Sequence, residues 1–122
     1  MDLKICKNCG AMVGVYNDCH CGGCGISCCN MPMQNVTPNT SDGAVEKHMP
    51  EIKVLGNNIE VTVNHVMENE HNIVWIALEA DNNQYKQFLK AGEPAKVVFP
   101  YIKGSKVYAF CNKHGLWMKE VE

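Results

Sequence analysis

The chain contains no apolar run long enough to cross a bilayer, and its opening residues, MDLKICKNCG, lack the apolar core of an export signal. No membrane partner and a cytoplasmic location are therefore expected. Basic clusters and acidic tails are also missing, and the formal charge of -2 is small. That excludes the electrostatic footprint of a nucleic-acid binder. Large apolar side chains are scarce before residue 35, so this segment cannot bury enough surface to fold unaided. Cysteine, by contrast, is abundant: eight are present, seven of them between residues 6 and 29. A reducing compartment disfavours disulfides, which leaves metal binding or redox chemistry as the reason for such density.

Composition divides the chain into a Cys-rich metal-binding head (1–35), a linker (36–45) and a β domain (46–122). The head is stapled by a metal, because a bound ion supplies the folding free energy that its small core cannot. The linker falls within MQNVTPNTSDGA, rich in turn formers and without periodicity. Beyond it, IKVL, IEVTV, IVWIALE, YKQFL, KVVFPYI, KVYAF and LWMKEV alternate with turn signals such as GNN, DNN and KGS. Seven strands at this spacing predict an all-β sandwich or barrel with no room for helices. Ile59, Val61 and Val63 alternate with Glu60, Thr62 and Asn64, so one face is buried and the other wet. Trp75, Trp117, Tyr85, Phe88, Phe99 and Phe110 read as core, and the methionines as packing.

Five possible metal ligands lie in the β domain: His48 in EKHMP, His65 and His71 in HVMENEH, and Cys111 and His114 in CNKHG. Each falls at a strand margin or loop, with Pro50 stiffening the loop that presents His48. Single histidines in such places are usually solvated or satisfied locally. Four of them with the domain's one cysteine point to a shared centre. Four imidazoles and a thiolate are too many for closed tetrahedral zinc, and suit iron with one open position. A thiolate on such an iron pushes electron density onto it, favouring reduction of a small oxygen species.

EKHMP, the H-x5-H spacing before NIVWI, QFLKAGEPA and CNKHG together resemble the superoxide reductases, also called desulfoferrodoxins and neelaredoxins. The resemblance implies an immunoglobulin-like β-sandwich whose mononuclear iron has His48, His65, His71 and His114 as equatorial ligands and Cys111 as axial ligand. It implies an oxidoreductase that reduces superoxide by one electron to hydrogen peroxide without releasing dioxygen. Lys47 would steer the anion and assist protonation, and Glu46 would serve the oxidised iron or product exchange. A small donor such as rubredoxin and a homodimer or homotetramer are implied as partners. Val66 departs from the family, many members having proline after the second histidine.

In the head, Cys6 and Cys9 form a CxxC knuckle and Cys28 and Cys29 an adjacent pair, similar to the desulforedoxin domain, where four sulfurs hold one iron. The interval between them is longer than in that domain and adds Cys19, Cys21 and Cys24 as alternative ligands. Mononuclear Fe(Cys)4 and a 4Fe-4S cluster both stay open. Iron would make the head an electron relay, and zinc only a staple. Two rival readings of the whole chain follow: a non-catalytic zinc-binding module, and a redox sensor or electron carrier without turnover. The metal separates the first from an enzyme, because zinc has no accessible redox change.

Overall fold

The computed structural model describes residues 1–21 and 25–122 and divides into two compact units, Met1–Thr37 and Pro38–Glu122. Residues 38–45, read above as linker, thus belong with the second unit.

In the first unit β1 (Leu3–Ile5) pairs antiparallel with β2 (Met12–Gly14) on one side, and β3 (Ser27–Cys28) forms a hairpin with β4 (Met31–Pro32). Strand β5 (Gln34–Asn35) completes a sheet of order β2-β1-β5. After β1 the chain makes a tight knuckle, with the Gly10 amide donating to the Cys6 carbonyl (2.8 Å) and the Cys6 amide to Ala11 (2.8 Å). Gly10 stands at φ +82, where a side chain would be strained. The β3–β4 turn runs through Cys29 and Asn30, both at positive φ (54° and 60°). Two left-handed residues in a two-residue loop match the right-handed strand twist.

The second unit opens with one helical turn, α1 (Val45–His48), where the sequence pattern left no room for a helix. Its N-cap makes no side-chain hydrogen bond, and a four-residue helix has too few bonds to offset its nucleation. Its surroundings hold it, as described below. Seven strands follow: β6 (Glu51–Leu55), β7 (Asn58–Thr62), β8 (Ile73–Glu79), β9 (Gln84–Phe88), β10 (Lys96–Pro100), β11 (Lys106–Cys111) and β12 (Gly115–Glu120). They form two antiparallel sheets, β10-β7-β6 and β12-β11-β8-β9. Ile59, Val61, Val97 and Phe99 of the first sheet share one buried cluster with Ile76, Leu78, Val107 and Ala109 of the second, which makes the unit an all-β sandwich. Relative to the constant-type immunoglobulin order, the fourth strand, β9, has joined the sheet of the third, sixth and seventh.

Phe88 corrects the aromatic-core expectation, because it is 70% exposed whereas Trp75, Trp117 and Phe99 are buried. It lies on edge strand β9 opposite Trp75, on the side of the sheet away from the shared core. Alternation assigned it a face but not a cover. The inward phase carries the chemistry, since Val107, Ala109 and Cys111 are all fully buried. A register shift between Phe110 and Cys111 bends β11 where the ligand residues begin.

Candidate metal centres

At one end of the sandwich, four imidazoles and one sulfur converge. One donor atom from each of His48, His65, His71, Cys111 and His114 lies within 4.8 Å of every other. The rings form a closed cycle, His48–His65–His71–His114, with successive centroids 4.8, 4.5, 4.9 and 4.8 Å apart, each pair edge to face. His48 Nε2 stands 3.0 Å from His114 Nδ1, and His71 Nε2 3.2 Å from the same atom. Cys111 Sγ lies 3.4 Å from His65 Nε2 and 3.8 Å from His114 Nδ1, and it accepts from the His114 amide at 3.4 Å.

Local bonds aim these rings. The Nδ1–H of His48 donates to the Ala44 carbonyl (2.7 Å), and that of His65 to Val66 (2.6 Å). A carbonyl oxygen carries no proton, so in both rings Nδ1 must hold it and Nε2 faces inward with a free lone pair. Trp117 stacks on His48 with centroids 5.0 Å apart and planes 18° from parallel, and its Nε1–H donates to the His114 carbonyl at 3.1 Å. Upstream, Asn39 clips the chain to β12: its amide donates to Leu116 O (2.9 Å), its side chain donates to Met118 O (3.1 Å), and its Oδ1 accepts from the Met118 amide (2.9 Å). From there the segment crosses Gly115 and brings Gly43 against His48 and His114, where an added Cβ would sit 3.1 Å from the His48 ring. These contacts hold the short helix and its histidine in place.

Burial holds His48, His65 and His71 below the ordinary imidazole value, and their mutual charges act in the same direction. They are therefore neutral at pH 7, the state that ligates. Glu46 and Lys47 are exposed on α1. The Lys47 charge is felt at His65 and the Glu46 charge at His48. Cys111 is fully buried, so the sulfur is shielded.

The donor set fits one ion. Metal–nitrogen bonds of about 2.1 Å at right angles put neighbouring nitrogens about 3 Å apart, close to the two spacings seen here. A single proton on His114 Nδ1 cannot satisfy both His48 and His71, whereas a cation answers every lone pair at once. Five ligands leave a six-coordinate metal one position for a small molecule.

In the first unit the sulfurs of Cys6, Cys9, Cys28 and Cys29 also lie within 4.8 Å of one another. Cys9 and Cys28 are 3.6 Å apart, and Cys28 and Cys29 3.9 Å. Neighbouring strand residues normally point to opposite faces, and the left-handed turn at Cys29 lets both sulfurs serve one point. The Cys9 amide lowers the Cys6 thiol to about 7, while hydrogen bonds donated by the Cys28 thiol to the Cys9, Cys6 and Cys29 sulfurs hold its proton and push it up to about 12. Cys19 is exposed, Cys21 is disulfide-bonded, and neither joins the four. Cys24 lies outside the described residues.

Residue patterns did not reveal the roles of Trp117, read only as core, or of Asn39, Gly43 and Gly115. The turn-rich stretch NTSDG was the available signal, and it reads equally well as a connector.

Fold and donor set define the class: a two-unit β protein able to hold one metal on four imidazoles and a thiolate and another on four thiolates. The family model described as Desulfoferrodoxin matches residues 40–120. Desulfoferrodoxin of Nitratidesulfovibrio vulgaris is 45% identical, over 98% of this chain and 95% of its own. Among solved structures, the superoxide reductase from Treponema pallidum superposes with a TM-score of 0.71 at 26% identity, over 98% of this chain and 100% of its own. A superoxide reductase from Giardia intestinalis covers 63% of this chain and 98% of its own, with a TM-score of 0.55 at 28% identity. The chain belongs to the desulfoferrodoxin family.

Proposed function

We propose that this protein is a superoxide reductase in which His48, His65, His71, His114 and Cys111 hold the catalytic iron. The observation that carries this reading is the convergence of those five donors in a chain of this family. Ferrous iron held by these five residues would supply the one electron that, with two protons, converts superoxide to hydrogen peroxide without release of dioxygen. Lys47 draws the anion to the rim by its charge and donates hydrogen bonds to it. Glu46, next to Lys47 on the same exposed turn, assists departure of the product. The Cys111 sulfur, buried beside the four rings, accepts the His114 amide, which fixes its position.

The unit Met1–Thr37 serves as a metal-stapled relay with mononuclear Fe(Cys)4 on Cys6, Cys9, Cys28 and Cys29. Four metal–sulfur bonds of about 2.3 Å in a tetrahedron set the sulfurs about 3.8 Å apart, and the 3.6 and 3.9 Å spacings support that over a cluster, whose thiolates stand outside four irons and further apart. A rubredoxin-type donor, a homodimeric or homotetrameric assembly and a cytoplasmic setting complete the reading.

The test follows peroxide and dioxygen together while reduced protein consumes superoxide. One peroxide per superoxide with no dioxygen is expected. Dioxygen release at half the superoxide consumed would mean dismutation, and no consumption would return the chain to the carrier or zinc-module class.

A further inference from the structure

Three imidazoles face the cluster through Nε2, and carbonyl groups on Nδ1 aim two of them, His48 by Ala44 and His65 by Val66. Among the described residues, no backbone oxygen holds Nδ1 of His71. Its peptide is gripped instead. The side-chain amide of Asn112 donates through Nδ2 to the Glu70 carbonyl (2.9 Å), and its Oδ1 accepts from the Asn72 amide (3.0 Å). The Asn112 backbone amide donates to Asn72 O at 3.2 Å. One side chain thus holds the peptide groups on both sides of His71, residues 70 and 72. The partners settle its orientation, because Glu70 O can only accept and Asn72 N–H can only donate.

We propose that Asn112 is the positioning residue for His71. It follows Cys111 directly and precedes His114 by two, so its backbone is tied to two donors while its side chain is tied to the third. Together with the paired Glu68 and His71 backbones (3.0 and 3.3 Å), the clamp fixes the peptides that present His71 Nε2 3.2 Å from His114 Nδ1, and among the described residues it alone ties them to the CNKHG loop. Only a side chain with a donor and an acceptor on one planar group can do this. Aspartate has the same shape but turns a carboxylate oxygen toward Glu70 O, where donor becomes acceptor.

The inference rests on the reading of the five-donor centre as an iron site. It is tested on the full chain, loaded anaerobically with ferrous iron, in the variants Asn112→Asp and Asn112→Ser. Iron held by the histidine centre should bind 10–100-fold more weakly in both, measured by competition with a chelator, as expected when the support of a metal ligand is lost. The electron paramagnetic resonance line shape of that oxidised centre should change too, while the signal of the cysteine-bound iron in the head stays as in the unmodified protein. Unchanged affinity and line shape in the variants would overturn the proposal. So would parallel loss of iron from both centres, or failure of both variants to fold, since either gives Asn112 to the fold at large. Unmodified protein that takes no iron on its histidines would instead sink the site reading itself.

Discussion

Gly115 follows His114 at φ +83, and a Cβ built there overlaps the Ser41 hydroxyl and lies 3.1 Å from Ser41 Cβ. Gly115→Ala should therefore meet two separable penalties. An L residue in the left-handed region costs about 1–2 kcal/mol. Overlap with a neighbour that the Asn39 clip holds in place costs about 1–3 kcal/mol, the usual range for overpacking. Together they predict a loss of about 2–5 kcal/mol. Adding Ser41→Gly removes the overlap but not the strain, so the double variant should recover about 1–3 kcal/mol and retain the rest. Both tryptophans, Trp75 and Trp117, lie in the second unit, so their emission during urea unfolding reports that unit alone. His114 Nδ1 lies about equally close to His48 and His71, and its displacement should also weaken metal binding, tenfold for each 1.4 kcal/mol transmitted. Gly115→Ala within about 0.5 kcal/mol of the parent, or no recovery on adding Ser41→Gly, would refute the argument.

Trp117→Phe keeps a ring against His48 but removes the bond to the His114 carbonyl, and should cost about 1 kcal/mol by circular dichroism melts in urea; a neutral result would leave only stacking at work. Lys47→Ala should slow the reaction with superoxide and flatten its ionic-strength dependence in pulse radiolysis, whereas an unchanged salt slope would make Lys47 a solvated surface charge. In metal-free protein, His48, His65 and His71 sit below the ordinary imidazole value of 6.5, so below that pH the unfolded chain binds more protons than the folded one. Stability should therefore fall as pH drops through 6.5 toward the lowered values and be insensitive to these rings above it. A metal-free urea midpoint that rises on acidification would contradict the burial of the three rings.

Much of this was legible because strands and turns declare themselves locally. Ile59, Val61 and Val63 alternate, GNN and DNN break the chain where hairpins turn, and seven β-domain strands follow from those signals. The five donors of the β domain were visible as residue types at strand margins. His48 was expected on a loop, however, and sits at the end of a helical turn that no propensity predicts, because Ala44, Gly43, Trp117 and the distant Asn39 clip impose it. Phe88 and Trp75 lie opposite each other across β9 and β8, yet one is bare and the other buried. Burial on the outer side of a sheet depends on what lies over it, which alternation does not encode.

By itself, then, the order of residues determined the β character, the Cys-rich head and the identity of the donors, since these depend on side-chain chemistry and on neighbours within a few positions. Tertiary structure alone decided that the four rings close into a cycle beside one buried sulfur. It also decided that Asn112 grips the peptides flanking His71, forty residues away in sequence. Ångström-scale distances between such remote segments are set by the packing of whole sheets, which no local stretch of chain contains.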